Sequence, residues 1–103
     1  MFDRSIVLNN GVTIPQLGLG TWFIDDDKAA DTVKAAVEIG YRHIDTAQAY
    51  GNERGVGEGV RTCGIPREEL FVVSKVAAEH KTYEEAMAGI NETLERWDWI
   101  ILI

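Results

Sequence analysis

Tyr41-Arg42-His43-Ile44-Asp45-Thr46-Ala47-Gln48-Ala49-Tyr50-Gly51-Asn52-Glu53 is the stretch whose reading decides the fold. Tyr41 to Ile44 reads as a short buried strand. A polar loop follows, then a helix that Asn52 is suited to cap. Asp45 stands where the apolar run stops, and Tyr50 follows on the loop. In parallel α/β sheets chemistry collects at the carboxyl ends of the strands. A carboxylate and a phenol delivered to that edge suit proton transfer. On these residues alone a turn aspartate and a packing tyrosine is the better reading.

A second strand end changes that balance. Phe71-Val72-Val73-Ser74 is a strand candidate with Lys75 directly after it. A lysine at a strand end is usually a solvated charge. On the same sheet edge as Asp45 and Tyr50, its cation would favour the phenolate over the phenol, and Asp45 would hold the ammonium in place.

Outward from these strands, the chain alternates strand and helix signals. It opens with a hairpin: Ile6-Val7-Leu8 and Val12-Thr13-Ile14 flank Asn9-Asn10-Gly11, and Pro15 ends it. Gln16 to Gly20 is a short strand with Thr21-Trp22-Phe23 as its loop. Gly18 and Gly20 do not open a helix, so they are no dinucleotide fingerprint. Asp25-Asp26-Asp27 reads as charge at a helix start and not as a metal site. That helix runs to Ile39, with Ala29, Val33, Ala36 and Val37 on one face and Gly40 as its stop. The second helix spans Glu53 to Thr62, with Gly64 after it and a helical turn at Pro66 to Leu70. Thr82 and Glu85 form a capping box for a third helix, which runs to Arg96 and buries Ala86, Met87, Ile90 and Leu94. Trp97 to Ile103 is a fourth parallel strand candidate. His43 reads as a packed histidine.

These phrases together resemble the aldo-keto reductase family. They are Gly18-Leu19-Gly20-Thr21-Trp22, Gly40-Tyr41-Arg42-His43-Ile44-Asp45-Thr46-Ala47, Tyr50-Gly51-Asn52-Glu53 and Ser74-Lys75, in the family's order and spacing. The resemblance implies an α/β fold: half of a (β/α)8 barrel, with about four parallel strands and three helices after an N-terminal β-hairpin. The chain is then one half-barrel domain, 1–103, with the hairpin in 1–15 and β/α units in 16–103. It implies Asp45, Tyr50 and Lys75 as catalytic residues, Trp22 at the substrate, Thr21 and Asp45 at the cofactor, and NADPH as that cofactor. The family's catalytic histidine, and most of its contacts to the cofactor's phosphates, belong to later segments.

Composition narrows the classes further. A chain of 103 residues suffices for one modest core. A net charge of −7 argues against nucleic acid or an anionic membrane as partner. No stretch has the length of a membrane span. Cys63, the single cysteine, has no internal disulfide partner, which fits the cytoplasm.

The segment Trp97-Asp98-Trp99-Ile100-Ile101-Leu102-Ile103 departs from the family's Leu-Gly-Leu-Asp-Tyr-Ile-Asp-Leu. Removing one base from an encoding of that phrase yields these seven residues and a stop codon, so a frameshifted, truncated member is expected. Half a barrel leaves open strand edges and an apolar inner face. Self-association into a homodimer or homotetramer is expected, since each further large side chain buried contributes about 1.5–3 kcal/mol. Three functions follow: a self-associating half-barrel that has lost carbonyl reduction, an NADPH-dependent aldehyde or ketone reductase assembled from oligomerised halves, or a weak nucleotide or small-molecule binder.

Overall fold

The computed structural model describes residues 4–97. Strands β1 (Ser5–Val7) and β2 (Thr13–Pro15) form the expected antiparallel hairpin, with Ile6 opposite Ile14. Gly11 takes a φ of 85° in the turn, a conformation in which a side chain would be strained. The hairpin is tied to the main sheet by His43 Nδ1, 3.1 Å from the Pro15 carbonyl oxygen.

The main sheet is parallel, in the order β3 (Leu19–Gly20), β4 (His43–Asp45), β5 (Phe71–Val73). Gly20, Asp45 and Val73 lie level across it. Helices α1 (Asp26–Ile39), α2 (Glu53–Thr62) and α3 (Tyr83–Trp97) complete an α/β architecture of half-barrel type. The expected fourth strand falls outside the described residues except for Trp97. That residue is a correction: it is the last of α3, fully buried, with its carbonyl oxygen held by Arg61 Nη1.

Strand limits shift from expectation for physical reasons. Tyr41 and Arg42 still wrap the end of α1, since Tyr41 N donates to Ala36 O at 3.0 Å and Arg42 Nη1 to Val37 O at 2.9 Å. Asp45 is therefore the last strand residue and not the first of the loop. Gln16 to Gly18 cross over His43 before joining the sheet. A Cβ on Gly18 would lie 2.9 Å from that imidazole.

The core joins Ala29, Val33 and Val37 of α1, Ile44 and Val72 of the sheet, Val56 and Val60 of α2, Leu70 and Trp97. The buried face of α1 is the expected one, and Gly40 stops the helix with its amide on Ala36 O and Val37 O. Close approach of α1 and α2 depends on glycine. A Cβ at Gly55 would stand 2.2 Å from Asp26 O, and one at Gly59 would stand 2.7 Å from the Val33 Cβ. Gly57 plays the same part towards Trp97 of α3, whose Cα would be 2.7 Å away.

Two capping expectations change. Asn52 occupies the N-cap position of α2 but makes no side-chain cap bond. Its Nδ2 donates to Thr21 O and Ile24 O at 2.7 and 3.0 Å, and its Oδ1 accepts from Thr46 Oγ1 at 2.7 Å. The third amide of α2, Gly55 N, is capped from another helix by Asp26 Oδ1 at 2.8 Å. The acidic run thus does cap a helix, though Asp25 makes no cap bond on α1 itself. Thr82 accepts from Glu85 N as expected, while the Glu85 carboxylate reaches back to Lys81 N.

The face of α3 also differs. Gly89, Thr93 and Trp97 are its buried residues. Ala86, Ile90 and Leu94 are half-buried, and Met87 is 39% exposed. Polar bonds turn the helix: Gly89 O and Thr93 Oγ1 accept from Gln48 Nε2, which rotates the apolar stripe partly outward.

Candidate active site

Asp45, Tyr50 and Lys75 meet at the carboxyl edge of the sheet. Asp45 ends β4, and Lys75 follows β5 by two residues. Parallel pairing in register sets them side by side. Lys75 Nζ donates to both carboxylate oxygens of Asp45, at 2.9 and 2.8 Å, and to Thr46 O at 2.9 Å. Tyr50 arrives on the short 3-10 helix Gln48–Tyr50, which Gly51 ends in the left-handed region at φ 69°. The ammonium lies 5.2 Å from the centre of the Tyr50 ring.

The charge balance at Lys75 follows from these contacts. Partial burial pulls its pKa down, but the hydrogen bond and charge of Asp45, with Tyr50 adding to them, hold it above the ordinary lysine value. The ammonium is accordingly the form that faces Tyr50 at neutral pH.

Trp22 stacks on Phe23 with ring centres 4.4 Å apart and stands 6.4 Å from the Tyr50 ring. Trp22 is 65% exposed and Phe23 84%. Phe23 adopts a positive φ of 69°, a conformation costly for a bulky residue. The three rings border the edge on the β3 side. Thr21 lies beneath them, buried, with its amide and hydroxyl both donating to Asp45 O at 3.1 and 2.9 Å. This fixes the backbone of Asp45.

Under the site runs a polar network that the sequence reading missed. Glu53 is buried, its carboxylate 1% exposed. It accepts from Ser74 Oγ at 2.6 Å, Thr93 Oγ1 at 2.8 Å and Arg96 Nη1 at 2.7 Å. A cavity of about 300 Å³ opens beside it, lined by Asp26, Gln48, Gly51, Glu53, Arg54 and Arg96. Both arginines are paired with carboxylates, Arg54 with Asp26 and Arg96 with Glu53. The only sequence signal for the network was Glu53 itself, at the first position of a helix where exposure is the norm. Among the described residues no group of three or more His, Cys, Asp or Glu is placed to hold a metal. No helix among them is long and apolar enough to cross a membrane.

This α/β half-barrel, with lysine, carboxylate and phenol at its carboxyl edge, has clear counterparts. The Aldo/keto reductase family model matches residues 16–99, and the chain belongs to that family. The 9,11-endoperoxide prostaglandin H2 reductase of Trypanosoma cruzi is 48% identical over 91 residues, 87% of this chain and 32% of the relative. Glyoxal reductase of Bacillus subtilis is 46% identical over 93 residues, 89% of this chain and 34% of the relative. Among solved structures, an aldo/keto reductase from Brucella melitensis superposes with a TM-score of 0.90 at 40% identity, covering 93% of this chain and 37% of that one. The Bombyx mori aldo-keto reductase in complex with NADP gives 0.83 at 34% identity, covering 93% and 34%. The chain spans about a third of the length of the curated relatives it matches.

Proposed function

We propose that these residues form the proton-delivering part of a carbonyl-reducing site, and that the 103-residue polypeptide by itself self-associates without appreciable reductase activity. The observation that carries the chemistry is Lys75, clamped by both oxygens of Asp45 and set 5.2 Å from the Tyr50 ring. In this reading the Tyr50 hydroxyl gives its proton to the carbonyl oxygen as the carbon is reduced. The Lys75 ammonium stabilises the phenolate left behind, and Asp45 fixes Lys75. Trp22 would wall the substrate side.

A nicotinamide cofactor would supply the hydride. The described residues fit it poorly. Thr21, expected to touch it, is buried with its hydroxyl turned to Asp45 O. Lys75, Arg54 and Arg96 are each committed to a carboxylate, so none is spare for a phosphate. General acid catalysis contributes about 10²–10⁴-fold, and only to reactants already in position. Holding them is what this segment does not provide.

Self-association has support in the apolar stripe of α3, where Met87 is exposed and Ile90 and Leu94 half-buried, and in β5, which among the described residues pairs only with β4. A second copy, in a homodimer or homotetramer, is the proposed cover. The reading of Trp97 to Ile103 as the product of a one-base deletion, and a cytoplasmic location, belong to the same proposal. The coding DNA tests the former, since no neighbouring frame encoding an ordinary family strand there would refute it.

The test of the chemistry is NADPH oxidation with a reactive aldehyde, run beside Tyr50→Phe. No consumption above the Tyr50→Phe background is expected. Activity in the original chain that disappears in Tyr50→Phe would overturn this reading in favour of an enzyme assembled from oligomerised halves.

A further inference from the structure

Tyr50 and Lys75 come from different β/α units, and their spacing has to be set by something between them. Asp45 holds Lys75, but it does not touch the turn that carries Tyr50 by any bond named above. Gln48 does. It opens that turn, and its carbonyl accepts from Gly51 N at 3.3 Å. Its own amide donates to Lys75 O at 3.1 Å. Its side-chain oxygen accepts from Ala77 N at 2.7 Å, two residues further along. Its side-chain nitrogen donates to Gly89 O and to Thr93 Oγ1 of α3, the latter at 3.0 Å. Residue 89 suits this contact as glycine, since a Cβ there would lie 3.1 Å from Gln48 Nε2.

We propose that Gln48 is a positioning residue: its side chain ties the backbone at 77 to α3 beside its own main-chain bond to Lys75 O, and so sets the Tyr50 ring at its working distance from the ammonium. The proposal deepens the proton-delivery reading above and rests on it for its meaning. Its geometry stands independently. Its side chain holds the backbone at 77 and the middle of α3, and its main chain holds Lys75 O and the turn at 48–51. Thr93 passes the tie on to Glu53, which in turn holds Ser74, the neighbour of Lys75. The segment around Lys75 is thus anchored at 74, 75 and 77 by groups other than Asp45 and Tyr50. A short polar side chain on an irregular loop would otherwise leave the strand end to move on the nanosecond scale or slower.

The test reads the Tyr50–Lys75 contact itself and needs no turnover, so it is separate from the fate of the reductase reading. In an isotope-labelled chain, the Tyr50 ring should give a nuclear Overhauser effect to the ε-methylene of Lys75 and shift it upfield. Tyr50→Leu calibrates that shift. Gln48→Met removes every side-chain bond at similar size. It should abolish both signals while the amide spectrum stays dispersed. Gln48→Glu keeps an acceptor for Ala77 N and should retain them. Signals unchanged in a folded Gln48→Met, or lost equally in Gln48→Glu, would overturn the proposal. If Gln48→Met does not fold, Thr93→Val removes one of the two Gln48 bonds to α3 and the onward tie to Glu53, and leaves the bonds at 75, 77 and Gly89 O. The Overhauser effect should then weaken, and an unchanged one would count against the proposal.

Discussion

Helices α1 and α2 meet differently from α2 and α3. The first pair is glycine-tight: Gly55 and Gly59 bring backbone onto Asp26, Ala30 and Val33. Its polar bonds lie at one end, where Asp26 takes Gly55 N and Arg54. The second contact has one large apolar anchor, Trp97 against Gly57, and its polar bonds run from Glu53 to Thr93 and Arg96 and from Arg61 to Trp97 O, with Gln48 reaching α3 from the neighbouring turn. Its helix keeps Met87 39% exposed. The contrast teaches that one helix contact is closed mainly by backbone at glycines and the other is held in shape by buried polar bonds. Such bonds are costly to leave half-made, so they fix geometry more than they add stability.

The largest expected effect lies on the α1–α2 contact. Gly55→Ala should cost about 3 kcal/mol, at the upper end for overpacking, because the atom it meets is backbone. Urea unfolding measures it. A loss under about 1 kcal/mol would mean that α1 and α2 can part easily.

Next comes Glu53→Ala, which strands the Ser74 and Thr93 hydroxyls and leaves Arg96 to turn to water. About 2 kcal/mol is expected. Hydrogen exchange sharpens the comparison: amides of α3 should exchange faster in the variant while those of α1 keep their protection. Uniform acceleration would make the two contacts one unit.

A smaller effect should appear in alkali. The folded pKa of Lys75 lies above the ordinary 10.5, so its ion pair contributes fully below that value and fades as pH rises through the folded one. Stability should therefore fall more steeply above about pH 10.5 in the original chain than in Asp45→Asn. Equal slopes would mean that Asp45 does not perturb Lys75.

Much of this was legible in the sequence. The face of α1 could be read from its period, and its stop from Gly40. Asp45 and Lys75 could be placed because strand ends are easy to locate in apolar runs, and parallel pairing does the rest. The buried face of α3 was not legible, because Ala86, Met87, Ile90 and Leu94 mark an apolar stripe while the bonds from Gln48 turn Gly89 and Thr93 inward. Asn52 looked like a cap, and its amide was used by Thr21, Ile24 and Thr46, contacts that only the tertiary fold creates. Gln48 gave no signal, since a glutamine in a loop is ordinarily solvated.

The proposed self-association is testable in one measurement: the solution mass of the purified chain by light scattering at micromolar concentration, beside Ile90→Lys. The original chain is expected at twice its 11.5 kDa or an even multiple, with the lysine variant shifted towards monomer while its circular dichroism is retained. A stable, folded monomer in the original chain would contradict the account.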